Sequence, residues 1–65
     1  MNTYKIRLAA VQDNYADYGD ELLLDRELQS LIDDLTRAIN MEAGENTYTE
    51  LYALREYVQL IKESL

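Results

Sequence analysis

The chain has no cysteine, histidine, proline, tryptophan or phenylalanine among its 65 residues, and only two glycines. Each absence closes a route. Without cysteine there is no disulfide, and without Cys and His the usual zinc ligand sets cannot be assembled. The commonest general bases and nucleophiles are missing for the same reason. Without proline, no residue imposes a kink on a helix. No uninterrupted apolar run, such as Leu22–Leu24, approaches the ~20 residues that a membrane-spanning helix needs. Cations are scarce as well. Six Lys and Arg face thirteen Asp and Glu, giving a net charge of −7. A chain so acidic repels phosphate backbones and anionic lipid surfaces, which argues against direct nucleic-acid binding and against membrane binding. The first residues do not form a charged-then-apolar-then-small leader, so the expected compartment is the cytoplasm.

What is present is globular in balance: 48% hydrophobic and 29% charged residues. Sixty-five residues make one small domain. A folded chain of 7.6 kDa exposes roughly 4,300 Å² and buries only about 60% of its unfolded surface. Such a core is marginal without a staple. With disulfide and zinc excluded, association of two copies is the expected source of extra buried area, and a homodimer is the expected form.

Apolar residues recur at spacings of three and four in two stretches. The first is Leu24, Leu28, Leu31, Leu35, continued by Ala38; the second is Leu51, Leu54, Val58, Ile61, Leu65. This spacing is the seam of a helix that packs lengthwise on another. The first helix is expected from about Asp20 to between Asn40 and Ala43, with Ile32 and Ile39 also on its core face. Asp33 and Arg37, four apart, would add an ion pair. Gly44 is the better stop, because it has no Cβ to clash in a left-handed cap. The second helix is expected to open at Thr47, with Glu50 three residues on forming a capping box, and to reach about Ser64. Its stripe is widened by Tyr48, Tyr52, Tyr57 and Leu60. That width predicts two neighbours, the first helix on one side and a strand or a second subunit on the other.

Before these helices, residues 3–11 alternate. Tyr4, Ile6, Leu8 and Ala10 fall on one side and Thr3, Lys5, Arg7 and Ala9 on the other, which reads as a half-buried strand. A short helix is the rival, since Leu8, Ala9 and Ala10 suit one. Lys5 and Arg7 would neutralise acids of a neighbouring helix or protect an exposed sheet edge. Residues 12–20, QDNYADYGD, read as an irregular acidic segment rich in turn formers, with Asp17 or Asp20 capping the helix that follows. The fold class expected is therefore α+β: a short N-terminal β-strand, then an antiparallel two-helix hairpin, completed by dimerisation. The alternative is an all-α hairpin that pairs into a four-helix bundle dimer.

Chemistry is thinly represented. The paired carboxylates Asp33 with Asp34 and Asp20 with Glu21 are sequence neighbours, and on a helix these diverge by about 100° rather than facing one another. No enzyme is expected, and no cofactor. The run Asp13, Asp17, Asp20, Glu21, Asp25 resembles a calcium loop only in being acidic. With Gly19 at loop position six, Ala16 and Tyr18 occupy two ligand positions, so no metal site is expected. All six aromatics are tyrosine. Tyr48, Tyr52 and Tyr57 follow the helical phase and belong to a core edge or an interface. Tyr15 and Tyr18 do not; an irregular loop of Tyr, Asp and Asn is the form of a recognition patch, and the alternative is that the two rings fold back to cover the core. The candidate contact residues are Asp13, Tyr15, Asp17, Tyr18, Asp20 and Glu21. The leading functional expectation is a non-enzymatic, acidic protein-binding module, an inhibitor or adaptor whose partner is another protein. One alternative is an acidic mimic of nucleic acid that blocks a basic groove; another is a structural homo-oligomer component. Small size, negative charge and Tyr/Asp-rich character are of the kind seen in phage and mobile-element proteins.

Overall fold

The computed structural model describes the backbone of residues 2–42 and 45–65 and the side chains of residues 3–41 and 48–65. It contains three helices: α1 (Asn2–Tyr18), α2 (Glu21–Glu42) and α3 (Glu45–Glu63). Successive helices are antiparallel. Early α1 meets late α2 through Arg7 and Asp34, and late α1 meets early α2 through Tyr15 and Glu21. Likewise Asp25 of early α2 meets Lys62 of late α3, and Thr36 meets Arg55. The helix α2 lies between the other two and packs on both.

The expected N-terminal strand is absent among the described residues, and the fold is helical rather than α+β. The alternation at Tyr4, Ile6, Leu8 and Ala10 spans only four positions. A competing set, Tyr4, Leu8, Val11 and Tyr15, repeats at four, three and four, and continues for three turns. The longer pattern prevails, because a helix satisfies its backbone N–H and C=O groups internally whereas a lone strand cannot. Leu8 is buried, with Tyr4, Val11 and Tyr15 packed against the core, while Ile6, which the strand would have hidden, is 68% exposed. Residues 12–18, expected to be irregular, are the last two turns of α1. The real turn is Gly19-Asp20. Gly19 takes φ +67°, and its N–H donates to the Tyr15 carbonyl at 2.7 Å, closing α1 with a left-handed cap. Asp20 caps α2: its carboxylate accepts from the Leu23 N–H at 3.1 Å and its carbonyl from the Leu24 N–H at 3.0 Å.

The two seams hold. Leu24, Leu28, Leu31, Ile32, Leu35, Ala38 and Ile39 of α2 are buried, joined by Leu51 and Val58 of α3, with Leu54 and Ile61 packed at the edge. The start of α3 differs from expectation. The helix already includes Glu45, so Thr47 lies inside its first turn instead of at a cap. The Gly44 stop and the Thr47 side chain of the capping box lie outside the described residues. The hairpin seen in the sequence is therefore α2 and α3, and α1 packs on α2 rather than on the widened stripe of α3, where Tyr48, Tyr52, Tyr57 and Leu60 are exposed.

Cations fasten both outer helices to α2. Arg7 Nη1 donates to Asp34 Oδ2 at 2.6 Å, the neutralising role expected of it. Lys62 Nζ lies 3.3 Å from Asp25 Oδ1, and Arg55 Nη1 donates to Thr36 Oγ1 at 3.3 Å. These are part-exposed contacts, worth at most about 1 kcal/mol each. The expected Asp33–Arg37 pair is not formed; Asp33 accepts instead from Gln29 Nε2 at 3.0 Å.

Two substitutions test this core. Leu35 is fully buried. Leu35→Ala should cost about 2–5 kcal/mol, comparable to the whole stability of a domain this size, and far-UV circular dichroism should show helix loss at room temperature. Gly19→Ala places a Cβ in the left-handed region and should cost about 1 kcal/mol, lowering the urea midpoint without changing the slope.

Candidate functional site

Because the helices alternate in direction, the C-terminal end of α1, the N-terminal end of α2 and the C-terminal end of α3 gather at one end of a molecule whose long axis measures 37 Å. Charge gathers there too. Residues 12–30 and 56–65, which make this end, hold eight carboxylates and two cations, a net charge of −6. The remaining stretches hold five carboxylates and four cations, a net charge of −1. The acidity is a property of one end, not of the whole surface.

The candidate contact residues all fall at this end, but they do different work. Asp20 is an N-cap and Glu21 begins the first turn of α2, where negative charge meets the positive end of the helix dipole. Tyr15 belongs to the apolar stripe of α1. It is half-buried against the core, with its hydroxyl 3.4 Å from Glu21 Oε1. In the expected loop no helical phase would bury it, and the helix supplies that phase. Tyr18, in contrast, is 81% exposed, although one side of it helps to line a shallow cleft with Val11, Tyr15, Leu23 and Leu24.

Asp13 and Asp17 are exposed and sit where charge is unfavourable. They are four apart on α1, a like-charge spacing that costs roughly 0.2–0.5 kcal/mol. Asp17 also occupies the last turn of α1, which contains no base to offset the negative end of the dipole. Among the described residues neither takes part in an ion pair. Their charge does nothing for the fold.

One contributor escaped the sequence reading. Leu22 is 81% exposed, as far out as Tyr18, and Leu23 is 44% exposed. Both were counted only as part of a short apolar run. The signal was there: Leu22 lies two residues before Leu24, out of phase with the seam, so helical geometry turns it outward. Tyr18 and Leu22 thus flank the Gly19-Asp20 turn, with Asp17, Asp20 and Glu21 next to them in the chain and the exposed Arg26 one turn on from Leu22.

The opposite end is different. Arg7, Asp34 and Arg37 border an open depression with Tyr4 and Met41. On α3, Tyr48 and Tyr52 stack with ring centroids 5.8 Å apart, and the Arg55 guanidinium lies 4.7 Å from the Tyr52 ring centre. These tyrosines are part-exposed helix-edge residues that pack mainly on one another. Among the described residues no group of three or more acidic side chains is arranged to hold a metal ion, and no helix is long and apolar enough to cross a membrane.

No known family model matches the chain, and neither curated proteins nor solved structures contain a match.

The unequal roles of the acids can be separated by stability alone. Asp20→Ala should lose about 1 kcal/mol with the cap. Asp13→Asn and Asp17→Asn should each gain a few tenths of a kcal/mol by relieving repulsion. Thermal melts of the three variants at low salt would show one midpoint fall and two rise.

Proposed function

We propose that this chain is a non-enzymatic protein-binding module, an inhibitor or adaptor, that engages its partner with the acidic end. The observation that carries this reading is the pair Tyr18 and Leu22, each 81% exposed, set among carboxylates at the α1–α2 turn. Large apolar side chains this far out of the core contribute nothing to folding, and aromatic or aliphatic anchors within a polar rim are what protein interfaces use. Asp13 and Asp17 add support, since charges kept at a cost to stability are expected where function requires them. The matching partner surface has an apolar pocket bordered by Lys or Arg.

Mimicry of nucleic acid fits the charge but not the two protruding apolar groups. A phosphate row offers no side chain to fill an apolar pocket, and affinity built on charge alone collapses with salt.

The test is affinity capture from native host cells with the wild-type chain and with Tyr18→Ala/Leu22→Ala. Both residues are exposed, so the variant should melt within roughly 3 °C of wild type. The expected outcome is loss of a partner that the wild type retains at moderate salt. Equal capture by the variant, or a partner released completely by a modest rise in salt, would refute the anchor role.

A further inference from the structure

The helix α3 has two faces, and only one is used. Leu51 and Val58 are buried against α2, and the two cations of α3 with described side chains turn the same way. Arg55 reaches Thr36, and Lys62 reaches Asp25. Nothing positive remains for the outer half. There, Ala53, Tyr57, Leu60 and Ser64 repeat at spacings of four, three and four, so they lie in one row along the helix. All four are exposed, Tyr57 at 54% and Leu60 at 64%. Leu54 and Ile61 border the row on the core side, and the exposed carboxylates Glu50, Glu56 and Glu63 flank it. The row is a second seam, uncharged along its length and acidic on its flanks.

A second copy is a poor occupant. Pairing this face with itself would bring Glu56 and Glu63 of both copies together with no cation between them, and like charges across an interface are a device for rejecting a partner.

We propose that the outer face of α3 is a docking surface for a basic amphipathic helix of another protein. The apolar stripe of that helix would lie along Tyr57 and Leu60, and its flanking Lys or Arg would meet Glu50, Glu56 and Glu63. This rests on the protein-binding reading above but uses a different surface from Tyr18 and Leu22.

The probe is a synthetic Leu/Lys peptide of about 18 residues with one leucine stripe, the length of a typical groove-bound helix. A scrambled Leu/Lys peptide of the same composition is the control. Binding is measured by calorimetry and located by amide chemical shifts. The striped peptide should bind, with shifts centred on Ala53, Tyr57, Leu60 and Ser64. The scrambled peptide should bind at least tenfold more weakly. Leu60→Ser and Tyr57→Ser should each weaken binding about tenfold without altering the melt. Four results would overturn the proposal: no binding, equal binding of the scrambled peptide, shifts centred on Tyr18 and Leu22, or sedimentation of the free chain as a dimer that Leu60→Ser dissociates. The third would leave the protein-binding reading standing while removing α3 from it.

Discussion

Everything in this fold leans on the apolar stripe of α2. Leu28, Leu31 and Leu35 are completely buried, and a single stripe serves two neighbours because it is broad. Leu24, Leu28 and Leu35 run down its middle, with Leu31 and Ala38 on one edge and Ile32 and Ile39 on the other. The edge with Leu31 and Ala38 lies on the side of Asp34, toward α1; the edge with Ile32 and Ile39 lies on the side of Asp25 and Thr36, toward α3. Each outer helix gives few buried side chains, Leu8 from α1 and Leu51 and Val58 from α3. The central helix is the common partner, and neither outer helix has another of comparable extent.

This economy explains why a chain with no disulfide and no zinc site can still form a core. Three helices in antiparallel succession place most contacts close in sequence, and short connections keep the loop entropy low. The two-residue turn at Gly19-Asp20 shows how much local chemistry this takes. Glycine supplies the left-handed cap that ends α1, and the next residue, an aspartate, caps α2. The chain reverses direction with a cap on each side, the Tyr15 carbonyl bonded at the end of α1 and the Leu23 N–H at the start of α2.

The second half of the molecule was legible in the sequence, and the first half was not. The seams of α2 and α3 were readable because leucine, isoleucine and valine recur there without interruption. In α1 the inward row is Tyr4, Leu8, Val11 and Tyr15, half of it tyrosine, while Ile6, Ala9 and Ala10 lie outside it. The contrast between faces is weak, and a four-residue alternation looked stronger than it was. Residues 12–18 were misjudged for a related reason. Asn and Asp favour turns in isolation, but packing of Tyr15 and Val11 on α2 outweighs a modest local preference. The candidate site inherited the mistake. The six candidate residues fall at the end of α1 and the start of α2, not in an irregular loop. Tyr15 was grouped with Tyr18 because a loop offers no phase to separate them, whereas a helix makes one a packing residue and leaves the other in solvent. Leu22 was overlooked because it stood in an apolar run.

The distribution of charge then separates what the fold needs from what it merely carries. Acids that help folding are identifiable by their positions: Asp20 at a cap, Glu21 at a helix N-terminus, Asp25 and Asp34 opposite cations of the outer helices. Asp13 and Asp17 on α1, and Glu56 and Glu63 on the outer half of α3, have no such place. If solubility were the only demand, these charges would be most cheaply spread over the whole surface, with bases interspersed. Instead Arg7, Arg55 and Lys62 are drawn inward to fasten α1 and α3 onto α2, and the surplus acids gather at the end that carries Tyr18 and Leu22 and along the outer face of α3. One arrangement answers both needs: Arg7, Arg55 and Lys62 hold three thin helices together, and the outer row of Tyr57 and Leu60 on α3 is left with carboxylates on its flanks.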